Sequence, residues 1–396
     1  MNHHPILKSF LRAALLMSCL GATAASRPVA AQDDDIFLTP EPIQRAAPDS
    51  RRQLTIDKYN KAGENYVAGR FQAAYQAANE LASAGKLDYL LRDVYYLRAL
   101  SAYGGMKSTP LGPMYAVSAF KELRGVMKFT PTLTLMSAVA FMDNHEYLRA
   151  GYEFGQYIDA NTTEEANRRY ARLNRAFAYE REGTEESFVT AISFWDDIVR
   201  RGETSRTFDK SGIYYLRGAA HLRLAEYKEA LADLDEAIRL DPKSTQSYHS
   251  RLTLYAQLGN DVAMKADLAK LFALGEKPDV PNVNSNYVRV NKAIYAGTAT
   301  AHDYGDRALM LLLGGGSLVP QRDAEQSLKL DPKDILGLLA TALLMRAGDE
   351  KTVQAFSDII ARAPDQVLAY SGRGAAYEAL NKYDLAATDF EKAYIL

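Results

Sequence analysis

One phrase recurs along this chain: a tyrosine, an arginine three residues later, and an aspartate sixteen residues beyond the arginine. Its copies are Tyr214, Arg217 and Asp233; Tyr248, Arg251 and Asp267; Tyr304, Arg307 and Asp323; and Tyr370, Arg373 and Asp389. Self-similarity at a fixed period is the sequence signature of a repeat solenoid. Because solenoids mainly present binding surfaces, the phrase favours a binding protein over an enzyme.

Helical periodicity begins near residue 55 and continues to the end of the sequence, with no convincing two-residue alternation. The sequence therefore predicts an all-α fold. Apolar residues make up 47% of the chain, which is enough to build a folded core.

The first residues have the parts of a secretory signal peptide. Lys8 and Arg12 precede a short apolar run, and small residues follow up to Ala31. The apolar run is too short to span a bilayer, so we expect export with cleavage after Ala31, giving a periplasmic or secreted protein. The alternative is a leader that stays in the cytoplasm.

The only cysteine, Cys19, lies inside this leader in a context similar to a bacterial lipoprotein box. Met17 is a poor residue for such a box, which favours loss of Cys19 with the signal peptide over a lipid anchor. In either case the mature chain has no free thiol for a disulfide or a thiolate metal site.

Removal of residues 1–31, which hold three basic and no acidic side chains, changes the formal net charge from −2 to −5. Nucleic-acid binding needs clustered lysine and arginine, so an acidic mature chain argues against a nucleic-acid partner.

The clearest unit runs from residue 211 to residue 244. With Ser211 counted as the first position, Gly218 is eighth, Ala230 twentieth and Pro242 thirty-second. Small residues at the eighth and twentieth positions let two helices cross closely, and the proline ends the second helix. The last unit, from Val367, follows the same pattern.

This pattern resembles the tetratricopeptide repeat, a helix–turn–helix unit of about 34 residues. The resemblance implies a TPR-like right-handed superhelix of about nine repeats in two lobes. We assign residues 32–54 to a flexible linker, 55–275 to the first array, 276–300 to an irregular insertion, and 301–396 to the C-terminal repeats. A helix at Asn286–Ala296 is expected to bridge the two lobes.

In a two-helix unit the arginine and the aspartate of the phrase lie on neighbouring turns of antiparallel helices. We expect an ion pair within each repeat, with the tyrosine packed on the arginine stem. A ligand site is the alternative, but one site would not need the phrase four times.

The resemblance also implies a binding face on the first helix of each unit. Carried over by position, the candidate groove residues are Tyr96, Tyr103, Tyr170, Arg181, Tyr215, Arg223, His249 and Gln257. Tyrosine and arginine dominate interface energetics, but tyrosine is abundant here, and packing between repeats is the competing interpretation.

One subtype of the family holds a partner's C-terminal carboxylate with lysines and asparagines on first helices. The matching positions here hold residues such as Tyr215, Ala219, His249 and Thr253, so that clamp is absent.

Signals for catalysis, metals or cofactors are weak. The histidines show no short metal-ligand spacing, and the run from Gly314 to Ser317 lacks the lysine of a phosphate-binding loop. We therefore expect no enzymatic activity, no metal and no cofactor.

The last repeat ends in Phe390, Tyr394, Ile395 and Leu396 with no polar capping helix. We expect this end to dock on a partner or a second subunit, or to be covered by its own frayed helix. Our leading hypothesis is a non-enzymatic scaffold that binds a peptide or protein partner in the bacterial cell envelope. The alternative is an accessory subunit that binds cell-wall glycan or peptide fragments.

Overall fold

The computed structural model describes residues 50–84, 90–107, 112–160, 163–278, 283, 285–314 and 320–396. The predicted signal peptide lies outside the described residues. So does the predicted linker, except for its last residues from Ser50, which begin the first helix.

Nineteen α-helices and no strand are found in these described residues, and the predicted all-α repeat fold is confirmed. The helices are α1 Ser50–Val67, α2 Phe71–Ser83, α3 Leu91–Gly105, α4 Gly112–Val126, α5 Pro131–Asp143, α6 Tyr147–Asp159, α7 Glu165–Glu182, α8 Glu185–Arg201, α9 Lys210–Arg223, α10 Tyr227–Leu240, α11 Thr245–Gln257, α12 Asp261–Ala273, α13 Ser285–Ala296, α14 Ala301–Gly314, α15 Pro320–Leu330, α16 Ile335–Leu344, α17 Glu350–Arg362, α18 Val367–Ala379 and α19 Tyr383–Ile395.

Two-helix units account for all of these helices except one. Helices α1 to α12 form six consecutive first-and-second-helix pairs, and α14 to α19 form three more. Helix α13 lies between the two sets without a partner of its own, at the position predicted for the extra helix Asn286–Ala296.

The sequence Leu-Asp-Pro ends a second helix at two places with the same local hydrogen bonds. Helices α10 and α15 stop at the leucine, since the following proline cannot continue the helix. Asp241 Oδ1 then accepts from the backbone N–H of Lys243 at 3.0 Å, and Asp331 Oδ1 accepts from that of Lys333 at 2.9 Å. These turns set the length of the repeat.

Small residues lie where helices cross closely. A Cβ added to Gly218 on α9 would be 3.0 Å from the Asp233 Cβ of α10. On α14, a Cβ added to Gly305 would be 2.7 Å from the backbone nitrogen of Gly337 on α16. Both distances are shorter than ordinary van der Waals contacts, so side chains larger than hydrogen would push the helices apart.

The described residues divide into two compact units. Unit 1 contains the described residues up to 182 together with 193–209, and unit 2 contains 183–192 together with the described residues of 210–396. The sequence predicted a division at the 276–300 segment, but α13 of that segment packs inside unit 2. Sequence periodicity marks where a repeat is interrupted and carries no information about which helices the interruption contacts.

Candidate functional site

Arginine braces join the two helices of a repeat in unit 2. In each copy of the phrase, the arginine Nε donates to one aspartate oxygen and Nη2 donates to the other, which is a bidentate guanidinium–carboxylate pair. The paired distances are 2.8 and 2.6 Å for Arg217 and Asp233, 2.9 and 2.6 Å for Arg251 and Asp267, 2.6 and 2.6 Å for Arg307 and Asp323, and 2.7 and 2.7 Å for Arg373 and Asp389.

In three copies of the phrase, the remaining guanidinium nitrogen, Nη1, donates a hydrogen bond to a side chain earlier in the chain. Arg251 Nη1 donates to Asp235 Oδ1 at 2.6 Å, Arg307 Nη1 donates to Asn291 Oδ1 at 3.0 Å, and Arg373 Nη1 donates to Ser357 Oγ at 3.1 Å. Each acceptor lies on the helix that precedes the arginine's own helix, sixteen residues earlier. Arg251 and Arg373 therefore join two successive repeats as well as the two helices of their own repeat, and Arg307 joins its repeat to α13.

Tyrosine rings flank the braces. The guanidinium carbon lies 5.4 Å from the Tyr214 ring centroid at Arg217, 5.5 Å from Tyr248 at Arg251, and 5.8 Å from Tyr370 at Arg373. These distances are within the range of a cation–π contact. The rings hold the planar guanidinium in the orientation that its two hydrogen bonds need.

The second repeat of unit 1 has a similar arginine–carboxylate pair with a longer spacing, but here the arginine Nε is buried without a hydrogen-bond partner. Arg98 is 6% exposed, and its Nη2 pairs with Glu122 while its Nη1 donates to Asn79 Oδ1 at 3.1 Å. Glu122 lies 24 residues after the arginine, because this repeat carries about eight extra residues between its helices. The Tyr95 ring stacks at 4.5 Å from the guanidinium.

Burial is greatest at the Arg307 brace, where both side chains are 3% exposed. Burial acts to lower the pKa of Arg307, but the hydrogen bonds and charge of Asp323 outweigh it and hold the pKa above its ordinary value. Burial raises the pKa of Asp323 above its ordinary value, while the hydrogen bonds and charge of Arg307 act to lower it, so each charge of the pair depends on the other.

The candidate groove residues of unit 1 have different degrees of exposure. Tyr96 is half-buried, and Tyr103 is 7% exposed with its ring edge-to-face on Phe120. The position of Tyr103 is therefore in the core and not at a surface. Tyr170 is half-buried edge-to-face on Phe154, and Arg181 is exposed with its guanidinium 5.9 Å from the Tyr147 ring.

The candidate groove residues of unit 2 are more accessible. Tyr215 and His249 are half-buried at matching positions of α9 and α11, and Arg223 is exposed at the end of α9. Gln257 is half-buried at the end of α11, and its backbone carbonyl accepts from Asn291 Nδ2 at 3.4 Å. These four lie on consecutive first helices and are the part of the predicted set that falls within one unit on neighbouring repeats.

Helix α13 packs against the turns that join first and second helices. We call this surface the turn edge, and it consists of residues 221–228, 257–260, and 183–188 at the start of α8. Tyr287 packs with Phe188 and Leu224, and a Cβ added to Gly259 would be 2.5 Å from the Val288 side chain. The helix that the sequence placed as a bridge between 55–275 and 301–396 contacts both, since Asn291 is bonded to Gln257 of α11 and to Arg307 of α14, and it also forms a second layer over this edge.

Helices α14 and α15 continue this layer with a buried leucine and an ion-pair network. Leu311 packs with Phe188 and Leu224, and Arg322 Nη2 donates to Glu226 Oε1 at 2.8 Å. Burial acts to raise the pKa of Glu226, but hydrogen bonds with His221 and Arg322 outweigh it and lower the pKa below its ordinary value. The network holds together residues that are 96 positions apart in the chain.

No group of three or more histidine, cysteine, aspartate or glutamate side chains with metal-binding geometry occurs in the part of the chain that the structure describes. Within the same residues, every helix is too short or too polar to cross a membrane.

Residues 211–244 match the tetratricopeptide repeat model, on the unit from which the sequence pattern was defined. This match shows that the unit 211–244 is similar to one tetratricopeptide repeat. No curated protein matched the chain in sequence.

Solved structures with a likeness include a tetratricopeptide repeat protein from Parabacteroides merdae, at 14% identity and a TM-score of 0.39, covering 73% of this chain and 98% of that one. Another is the human IFIT1 dimer with m7Gppp-AAAA, at 11% identity and a TM-score of 0.30, covering 85% of this chain and 71% of that one. Neither likeness carries a ligand or an activity over to this chain.

Proposed function

We propose that this chain is a non-enzymatic scaffold that binds a peptide or protein partner in the bacterial cell envelope. The observation that supports this function most strongly is a row on α9 and α11 in which Tyr215 and His249 are half-buried at one position of the repeat and Arg223 is exposed at another. Gln257, at the second position on α11, is bonded to α13 through its backbone carbonyl. Such a row on a braced stack would meet an extended partner with side chains of the kinds that contribute most at interfaces.

The binding test uses the chain from Gln32 onward, immobilised and exposed to envelope extract or to isolated cell wall. We expect capture of a defined protein that is lost when Tyr215, Arg223 and His249 are replaced together by alanine. Lys265→Ala is the matched control, because this exposed side chain lies on the second helix α12. Retention on cell wall without protein capture would instead favour the cell-wall accessory role.

Export is tested by mass spectrometry of the protein from fractionated cells of a bacterial host. We expect the mature N-terminus at Gln32 and the protein in the periplasmic fraction or the medium. Full-length protein in the cytoplasm would contradict export. A lipid-modified N-terminus at Cys19 would show anchoring and would contradict cleavage after Ala31.

The second helix of the last repeat, α19, is a candidate contact surface. Phe390 is 40% exposed, Ile395 68% and Tyr394 92%, which is a concentration of exposed apolar side chains on one short helix. We propose that this face mediates self-association. Light scattering should then show a mass that rises with concentration and falls to that of the monomer in Tyr394→Glu. A monomer at every concentration would contradict the proposal.

A further inference from the structure

The fourth repeat, α7 and α8, has the arginine of the brace but not its carboxylate. Arg175 is followed by about three extra residues, so the partner position of the aspartate is occupied by Phe194. The Arg175 guanidinium carbon lies 4.4 Å from the Phe194 ring centroid, and the Tyr179 ring lies 5.5 Å from that of Phe194. The Phe194 ring, with the Tyr179 ring against it, therefore lies where the braced repeats of unit 2 have an aspartate carboxylate.

This repeat also lacks the side-chain acceptor on the preceding helix that bonds to Nη1 in other copies of the brace. At Arg251, Arg307 and Arg373, a side chain of the preceding helix accepts from Nη1. On α6 the residue next to Arg175 is Gly155, where an added Cβ would lie 3.0 Å from both Cζ and Nη2 of the arginine. The glycine gives the guanidinium room and supplies no side-chain acceptor.

As a result, the Arg175 guanidinium forms no hydrogen bond or ion pair with any residue that the structure describes. Its Nε is buried without a partner, and the side chain as a whole is half-buried. Taking a cation partly out of water is unfavourable unless an anion or hydrogen-bond acceptors compensate, and stacking on an aromatic ring compensates only in part. A carboxylate from another molecule would satisfy the terminal nitrogens Nη1 and Nη2, which are not buried, while Nε stays out of its reach.

A second arginine, Arg168, lies on the same helix face as Arg175 and indicates how a bound peptide would run along α7. It lies seven residues before Arg175 on the same face of α7, about 10 Å away along the helix axis. Its Nε is also buried without a partner, and its Nη1 lies 3.8 Å from Glu165 Oε2, beyond hydrogen-bond distance. In a peptide with polyproline II conformation, which has three residues per turn, acidic side chains three residues apart lie on the same side and are separated by a similar distance of about 9 Å.

We propose that Arg175 is a binding site for a carboxylate of an acidic peptide, with Arg168 meeting a second acidic residue three positions away. This inference rests on the proposed scaffold function and adds the chemistry of the partner. A carboxylate is the favoured anion because the equivalent arginines Arg98, Arg217, Arg251, Arg307 and Arg373 each bind one from within the chain.

Two variants test the site in opposite ways. Arg175→Gln removes the cation, while Phe194→Asp supplies the missing carboxylate from within the chain and so occupies the guanidinium. Arg169→Gln is the matched control, since it makes the same charge change at an exposed position of the same helix. Arg175→Lys keeps the positive charge but lacks the planar guanidinium with its paired N–H donors. It is the substitute test variant if Arg175→Gln does not fold.

The probe is a fluorescein-labelled, C-terminally amidated peptide, Ser-Asp-Ala-Ala-Asp-Ser, measured by fluorescence anisotropy at low salt against its Asn-for-Asp counterpart. We expect wild type and Arg169→Gln to bind the Asp peptide about tenfold more tightly or better. Arg175→Gln and Phe194→Asp should abolish this preference, and Arg175→Lys should reduce it. The inference would be overturned if Arg175→Gln and Phe194→Asp still bound the Asp peptide more tightly than the Asn peptide, or if wild type showed no such difference.

A third peptide, with both aspartates replaced by asparagine and a free C-terminal carboxylate, distinguishes the source of the anion. Arg175-dependent binding of this peptide alone would overturn the side-chain assignment. Capture of an envelope protein that is insensitive to Arg175→Gln would overturn the acidic site and leave the scaffold function intact. Arg175-dependent binding of the Asp peptide with no captured protein would support the site and contradict the scaffold function.

Discussion

The Arg307 brace offers the most quantitative test of how this repeat stack is held together. Arg307→Met keeps most of the volume of the side chain and removes its charge and hydrogen bonds. Asp323 would then remain 3% exposed with no cation, and Asn291 would lose the 3.0 Å hydrogen bond from Nη1.

The expected cost follows from this burial. Removing one partner of a buried ion pair costs about 3–5 kcal/mol, because the remaining charge stays desolvated and unpaired. The lost hydrogen bond to Asn291 adds about 1 kcal/mol. We expect Arg307→Met to destabilise unit 2 by about 4 kcal/mol or more at pH 7. The double variant Arg307→Met with Asp323→Leu should recover most of that loss, since no charge is left in the core.

The assay is urea unfolding followed by circular dichroism for wild type, each single variant and the double variant, with the coupling free energy taken from the cycle. Arg373→Met is the internal comparison, because the Arg373 side chain is 19% exposed and that of Arg307 only 4%, so water can reach the arginine side of this brace although Asp389 is itself buried. It should cost clearly less than Arg307→Met. A cost below about 1 kcal/mol for Arg307→Met, or additive effects in the cycle, would refute the argument that burial sets the value of the brace.

Further outcomes follow from other contacts. Because the pKa of Glu226 is lowered in the fold, its contribution to stability is present above the unfolded pKa of about 4.3 and is lost as the pH falls through the folded value. Glu226→Gln should therefore destabilise the protein at pH 7 and have little effect once wild type is protonated, as urea unfolding at several pH values would show; an equal effect throughout would contradict this. Gly305→Ala should lower the melting temperature because its Cβ would meet backbone of the next first helix, whereas Gly63→Ala, with open space around it, should raise stability by about 0.5–1 kcal/mol. Arg217→Leu should lower the melting temperature and leave partner affinity within about twofold, and a selective loss of affinity with unaltered melting would assign that brace to a binding site instead.

The contacts that the sequence could predict are those inside one repeat. A fixed number of residues through one tight turn brings position 7 of the first helix to position 23 of the second, and Arg217 is bonded to Asp233 at this spacing. The third contact of each brace could not be predicted in the same way. Its acceptors are an aspartate, an asparagine and a serine, so no single residue type marks the position.

The repeat frame located two other arginines, but insertions in their units shifted the positions of their partners. Arg98 has its carboxylate 24 residues away at Glu122, and Arg175 has an aromatic ring at the shifted position. Both partners could be found by adding the length of the insertion to the spacing. Tyr103 shows a different limit, because the family position that faces a groove in other repeats is in the core of this one.

The turn edge had no signal in the sequence, because α13 belongs to the segment where the period is lost and the repeat pattern of α14 and α15 indicates only contacts inside a repeat. Its contacts also change how unit 2 should fold. A simple repeat array has only nearest-neighbour contacts, so its repeats can fray one at a time from the ends. The bond between Arg322 and Glu226 closes a loop of 96 residues, and opening any repeat within that loop also breaks this long-range contact. Unit 2 should therefore unfold as one cooperative block, and it should fold more slowly than an open array of the same length, because distant segments must meet before the loop is stable.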